Sequence, residues 1–443
     1  RTEMRRTITT LLLAVITVSI ASDQVPAPPQ THPILLMNAT IHPVSTEEIQ
    51  RGAILFDKGI ITAIGRRVTN LPDNTETIDL QGKHIYPGMI AASSVIGLTE
   101  IGAVAVTRDF SELGEVNPNV RAEVAYHPDS EIIPVTRSNG VLLAQSCPTG
   151  GLISGTSSVM MLDGWTWETS TLRAPVGLHI NWPNMGAVRS RYSRITEEEA
   201  VKRREKALKK LDVVFEEARR YFVAKEAADK SGKIKLNTDL RWEAMLPVLR
   251  GEVPVFMHAS EVRQIESAVE WANRQNVKMV IVGGYDAWRV ADLLKKYEIP
   301  VIYETVNSLP RRRWEDFDTP FTGPAKLHEA GVQYCISMGT GGASNHRNTP
   351  YEASKAASYG LPKNEALKSV TLYAAEILGI ADKVGSLEKG KDATLMITDG
   401  DPLEITTQVE QVYIQGKKID MSDRHKVLYD KYKEKYRQLG KIK

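Results

Sequence analysis

The chain has 443 residues, of which 42% are hydrophobic and 25% charged; that is too long for one ordinary domain and has the balance of a globular chain able to bury a large core. A net charge of +2 excludes a global field that would draw the molecule to nucleic acid or to a membrane surface. Cys147 and Cys335 lie in separate apolar runs and read as two buried thiols, not as a disulfide framework or a zinc site.

From the N-terminus, Met4-Arg5-Arg6 supplies a positive start, Leu11 to Ile20 an apolar run, and Ser19-Ile20-Ala21 small residues for cleavage. This is the layout of a secretory signal over residues 1–21, too short to span a bilayer. Its removal implies an exported protein, periplasmic or secreted, with no stable membrane span. Residues 22–32, with Val25-Pro26-Ala27-Pro28-Pro29, are expected to form an unstructured linker.

Residues 33–82 read as short strands and turns. Gly52 to Phe56 and Ile60 to Gly65 flank Asp57-Lys58-Gly59, which predicts a hairpin with glycine at the strained position. Residues 385–420 read the same way, and neither segment buries a two-sided sheet alone. The two ends are therefore expected to pair in one composite β-sandwich.

Between them, residues 83–384 alternate strand and helix. Expected strands are Ile85 to Ile90, Val141 to Gln145, Ser158 to Leu162, Val176 to Ile180, Pro254 to His258, Lys278 to Gly283, Pro300 to Glu304 and Gln333 to Met338. Strands without polar alternation, followed by helices such as Glu261 to Arg274, imply a parallel sheet covered on both faces. Eight of them close naturally as an α/β fold of the (β/α)8 TIM-barrel kind. An insertion at 196–231 opens with a Thr196/Glu199 capping box and places Leu208, Leu211, Phe215, Ala218 and Phe222 on one face, which predicts a long helix docked on the barrel. The last segment, 421–443, reads as a basic helix with Tyr429, Tyr432 and Tyr436, expected to dock on the body and not to bind nucleic acid.

In such a barrel chemistry sits at the C-terminal ends of the strands. The strand-final residues His179, His258 and Glu304 are the candidates, and two readings of them stay open. Two imidazoles and a carboxylate suit a mononuclear zinc site; His258 with Glu304 also suits a metal-free acid/base pair. The glycine-rich loops Gly339 to Pro350, with His346 and Arg347, and Gly150 to Thr156 read as tight turns before anion cradles.

The motifs Gly82-Lys83…Pro87-Gly88, Phe256-Met257-His258, Gly339-Thr340 and Gly385 to Ile397, in this order and spacing, resemble the amidohydrolase superfamily, imidazolonepropionase-like members in particular. The resemblance implies hydrolysis of non-peptide C–N bonds, cyclic amides or prolyl dipeptides with one or two metals, and His258 stands where that family has a metal histidine. Elsewhere this chain departs from the pattern. Ser93 and Val95 occupy the paired-histidine positions, Ala91 the preceding aspartate, Gly283 the second-half histidine and Gly341 the catalytic aspartate. Hydroxyl, alkyl and bare backbone are poor or impossible zinc ligands. The expectation is thus a degenerate member, a pseudoenzyme with no stoichiometric metal. It would bind a small molecule at the barrel mouth or form a homo- or hetero-oligomer with a related, intact amidohydrolase. The alternatives are an active hydrolase with His258, His179 and Glu304 rewired around zinc or as an acid/base set, and a structural, partner-binding protein.

Overall fold

The computed structural model describes residues 24–186, 196–232 and 236–442; the expected export signal lies outside the described residues. The expectation of an unstructured linker is corrected. From residue 24 onward this stretch lies on the body, with Gln24 donating to the Ser130 carbonyl at 3.1 Å and Gln30 to the Phe56 carbonyl at 3.0 Å. Side-chain amides thus tie the stretch to carbonyls of the body where its prolines have no backbone N–H to donate.

Strands β1 (Ile34–Ile41), β2 (Ile49–Asp57), β3 (Ile60–Gly65), β4 (Glu76–Asp79) and β5 (His84–Pro87) begin one sheet. Both Lys58 and Gly59 have positive φ, +49° and +83°, the geometry of a two-residue turn between right-twisted strands. The run expected as a single strand, Ile85 to Ile90, divides at Gly88. There β5 stays in this sheet, and β6 (Met89–Ser94) starts the barrel. A Cβ on Gly88 would stand 2.7 Å from Leu142 Cδ1, so glycine lets the two sheets approach at the changeover.

The barrel sheet then takes β7 (Val141–Ser146), β8 (Ile153–Met161), β9 (Thr171–Asn181), β10 (Val255–Ala259), β11 (Met279–Gly283), β12 (Val301–Glu304) and β13 (Tyr334–Ser337), in strand order β13 to β6. Seven of the eight strands run as expected. The third, expected parallel, is antiparallel to both neighbours. Only Cys147 to Leu152 separate β7 from β8, and a connection that short can return the chain only antiparallel. The wall is nearly closed. At the seam between β13 and β6, the Ser337 hydroxyl donates to the Ala92 carbonyl and reaches that of Ser93 at 3.5 Å.

After the barrel, β14 (Leu395–Thr398), β15 (Val409–Ile414) and β16 (Lys417–Lys418) rejoin the first sheet, β14 pairing with β5. The composite sheet therefore comes from both ends, with its own core around Ile54, Phe56, Leu395 and Tyr413. The insertion is one helix, Glu197–Ser231, capped by Thr196 and Glu199 and ended by Gly232 at φ +63°. It docks on the barrel through Phe215, whose ring meets Trp271 edge-on at 4.8 Å, and through Asp212, which accepts from Trp271 Nε1 at 2.8 Å. The expectation that the last helix docks is corrected. No residue of Arg424–Gln438 is buried, because its charged residues surround its one apolar stripe and leave it no broad face to bury.

Candidate functional site

The C-terminal ends of the barrel strands carry two separate polar sets. On one side, β9 and β10 run parallel with His179 opposite Phe256. His179 is fully buried and stacks on the Phe256 ring at 5.0 Å. Its Nδ1 stands 2.9 Å from His258 Nε2, so the two rings share one hydrogen bond. Burial, then the neighbouring His258, holds His179 well below the ordinary imidazole range, and burial lowers His258 to about 4. Both rings are neutral near pH 7, as removal from water disfavours the charged form. His179 Nε2 is buried without a partner.

On the other side, Glu304 ends β12 and is partly exposed. Ser93 Oγ donates to its Oε1 at 2.7 Å. Burial raises the Glu304 carboxyl above its usual value, against the opposing pull of the Ser93 donation and the Arg311 charge. Ser93 itself sits at φ +55°, uncommon for any residue but glycine. Its N–H donates to Gln145 Oε1 at 3.0 Å, and Gln145 Nε2 donates to Ser157 Oγ at 3.0 Å. Strands β6, β7 and β8 thus jointly hold the hydroxyl under Glu304. Gly339 (φ +74°) completes the fit, since a Cβ there would stand 2.8 Å from Glu304 Cδ.

The structure brings His179 to His258, and Glu304 to Ser93; no hydrogen bond joins His258 to Glu304 among the described residues. No group of three or more His, Cys, Asp or Glu among the described residues is arranged to hold a metal ion. The expected three-residue zinc set of His258, His179 and Glu304 is therefore not assembled: His258 Nε2 is turned onto His179, and the Glu304 oxygen onto Ser93. Of the remaining positions that the resemblance assigns to ligands, Val95 is buried and Gly283 and Gly341 carry no side chain. These donors do not fit the metal that the resemblance implies.

His346 is fully buried, with Nε2 3.0 Å from the Gly339 carbonyl and Nδ1 without a partner, and Arg347 is taken up by His425 at 2.6 Å. The Gly150-Gly151 loop is a tight turn, with φ of +84° and +64°. Both thiols are free and buried.

A cavity of about 220 Å³ opens at the seam, lined by Val95, Thr99, Arg108, Phe110, Thr340 and Gly341 among others. Two of these, Val95 and Gly341, are positions where the resemblance places metal ligands. Thr99 Oγ1 is buried without a partner, Arg108 is exposed, and Glu100 also lines the cavity, its carboxylate accepting from Ser130 Oγ and from the Glu131 N–H at 3.1 Å. Reading the strand ends alone missed Thr99 and Arg108, which lie in the long connection after β6, and it missed Ser93 as the partner of Glu304. The one available signal for Ser93 was its place on the first barrel strand.

The family model for the amidohydrolase family matches residues 318–419. Amidohydrolase tasK of Hapsidospora irregularis is 23% identical over 399 residues, covering 82% of this chain and 39% of that protein. The 5-methylthioadenosine/S-adenosylhomocysteine deaminase of Thermodesulfovibrio yellowstonii is 26% identical over 173 residues, covering 34% of this chain and 38% of that one. The chain thus spans about two fifths of the length of these curated relatives. Among solved structures, an amidohydrolase from Thermotoga maritima MSB8 superposes with a TM-score of 0.77 at 27% identity, covering 87% of this chain and 99% of that one.

Proposed function

The chain belongs to the amidohydrolase superfamily, and from that premise we propose that it is an exported, degenerate member that binds a small carboxylate-bearing molecule at the barrel mouth without a metal. The observation that carries this reading is the seam cavity. Two ligand positions of the superfamily pattern, Val95 and Gly341, line it together with the unpartnered Thr99 hydroxyl and the exposed Arg108 guanidinium, while the Glu100 carboxylate on its wall is already taken up by Ser130 Oγ and the Glu131 N–H. A guanidinium and a hydroxyl lining one small, largely polar pocket suit a carboxylate, which Arg grips through paired N–H donors. Cyclic amides bearing an acid group, and prolyl dipeptides, both fit that description. The test is a thermal-shift and calorimetric screen of such compounds on the metal-stripped protein. A ligand that binds equally with and without chelator, and that Arg108→Met weakens at least tenfold, is the expected result. Binding that disappears with chelator overturns the reading.

A second reading rests on placement: His258 and Glu304 both stand at the C-terminal ends of barrel strands, where burial lowers the imidazole and raises the carboxyl. A substrate spanning the mouth between the two sets would meet a base on one side and an acid on the other. This reading predicts chelator-resistant hydrolysis of the same compounds that Glu304→Gln abolishes. Pairing with an intact, related subunit is the remaining part of the proposal, and co-expression followed by sedimentation tests it.

A further inference from the structure

The helix Arg424–Gln438 stands off the body. It is held at its first turn, where Asp423 accepts from the backbone of His425 and Lys426 and from Ser138 Oγ at 2.5 Å, and where Arg347 meets His425. Beyond that turn nothing in it is buried, and Tyr429, Tyr432 and Tyr436 are 64%, 50% and 44% exposed. Residues 424–443 hold eight Lys and Arg against two Asp and Glu, a net +6 in a chain of total +2. The remainder of the chain therefore carries −4.

How these charges are laid out decides what the helix fits. At about 100° per residue, Leu428, Tyr429, Tyr432, Tyr436 and Leu439 share one stripe. One margin of that stripe carries Arg424, Lys431 and Lys435, and the other Lys426, Lys433 and Arg437. Both acids, Asp430 and Glu434, fall on the opposite side. Lysine heads also lie over the rings they border, Lys433 over Tyr429 and Lys435 over Tyr432, each at 5.6 Å. A groove of about 400 Å³ runs along the stripe and continues to Ile442.

We propose that this helix is a peripheral anchor for an anionic lipid surface. An interfacial helix buries a narrow apolar and aromatic stripe at the level of the headgroups, while basic side chains on both margins reach out to lipid phosphates. Tyrosine suits that depth because its ring is apolar and its hydroxyl wet. Charge complementarity selects anionic lipid, with the acids turned away from the contact plane. A nucleic acid would call for basic residues at the centre of the contact face, where this helix has leucine and tyrosine. No helix among the described residues is long and apolar enough to cross a membrane, so the contact is one of surface binding.

Flotation of the full chain with vesicles of phosphatidylcholine alone, and of phosphatidylcholine with one quarter phosphatidylglycerol, tests this. The protein should float with the anionic vesicles and remain behind with the neutral ones. Each basic residue near an anionic surface strengthens partition about fivefold, so reversing Lys433 and Lys435 to Glu together should weaken it at least about 25-fold. Tyr432→Ser with Tyr436→Ser should abolish flotation, while Asp430→Asn with Glu434→Gln should strengthen it. All these positions are exposed, and unchanged melting temperatures would show that the fold is intact. Equal partition into both vesicles, or none into either, overturns the proposal. So does a gel shift with duplex DNA in the absence of flotation, or a dimer in vesicle-free sedimentation that the tyrosine variants dissolve.

Discussion

The two sides of the barrel mouth hold titratable groups by different means. On the β9–β10 side two neutral imidazoles face each other, His179 also stacking on Phe256, with one hydrogen bond between them and one nitrogen left without a partner. At the seam a carboxyl is fitted under a backbone with no side chain and is bonded by a hydroxyl that two further strands position. The first arrangement is mostly packing, and the second mostly directed polar contact. The lesson is that the seam should be intolerant of small changes, whereas the histidine pair should accept replacement by shape.

The sharpest way to break that contrast is Gly339→Val. A side chain there meets Glu304 at 2.8 Å and must also adopt φ +74°, and overpacking with left-handed backbone strain together cost about 3 kcal/mol. Chemical denaturation of the variant against wild type measures it. Ser93→Ala comes next. It leaves Glu304 partly buried without its hydroxyl donor, a loss of about 1–3 kcal/mol, and the carboxyl pKa should rise further, which carbon-13 NMR of labelled glutamate would follow.

The two sides also answer pH with opposite sign. A histidine whose folded pKa is lowered to about 4 is neutral in the fold while the unfolded chain takes up a proton below about 6.5, so stability falls as pH drops through that window. Glu304, raised above its usual value, binds its proton earlier in the fold than in the unfolded chain, and stability rises as pH falls through its folded pKa. Glu304→Gln removes only the rising part. Melting temperatures of that variant should therefore fall more steeply than wild type as pH drops from about 6.5 towards 4.

How much of this was legible beforehand follows the same division. The second half of the barrel, β10 to β13, announces itself through apolar runs ending in His258, Gly283 and Glu304, because a strand buried on both faces has no other composition available. The antiparallel β8 was hidden, since Ser158 to Leu162 looks like any buried strand and direction is set by how few residues precede it. His179 and Glu304 were readable as strand-final residues, but their partners were not. Ser93 is 52 residues from the Gln145 that orients it and 211 from the Glu304 it bonds, and a single sequence carries no signal for such pairs. The reading of Gly339 as a tight-turn residue was correct in conformation and silent on its second role, the space left for Glu304.

On the tolerant side, His179→Phe keeps a planar ring stacked on Phe256 and removes the buried nitrogen that has no partner, at the loss of one hydrogen bond. The larger ring in a fully buried site and the lost partner of His258 Nε2 together cost about 1–2 kcal/mol, to be read by denaturation. The smallest effect is expected from Gly341→Asp. A Cβ at Gly341 meets nothing within 4 Å, and its φ lies outside the left-handed region, whereas at Gly283 a Cβ would stand 2.6 Å from Ser260 Oγ with φ +99°. Aspartate at 341 should thus shift stability by no more than about 0.5 kcal/mol. Its carboxylate would enter the same cavity as Arg108 and compete there with an acid ligand. If the cavity binds carboxylates, affinity in calorimetry should fall while the fold stays unchanged; unaltered affinity would move the ligand away from the seam.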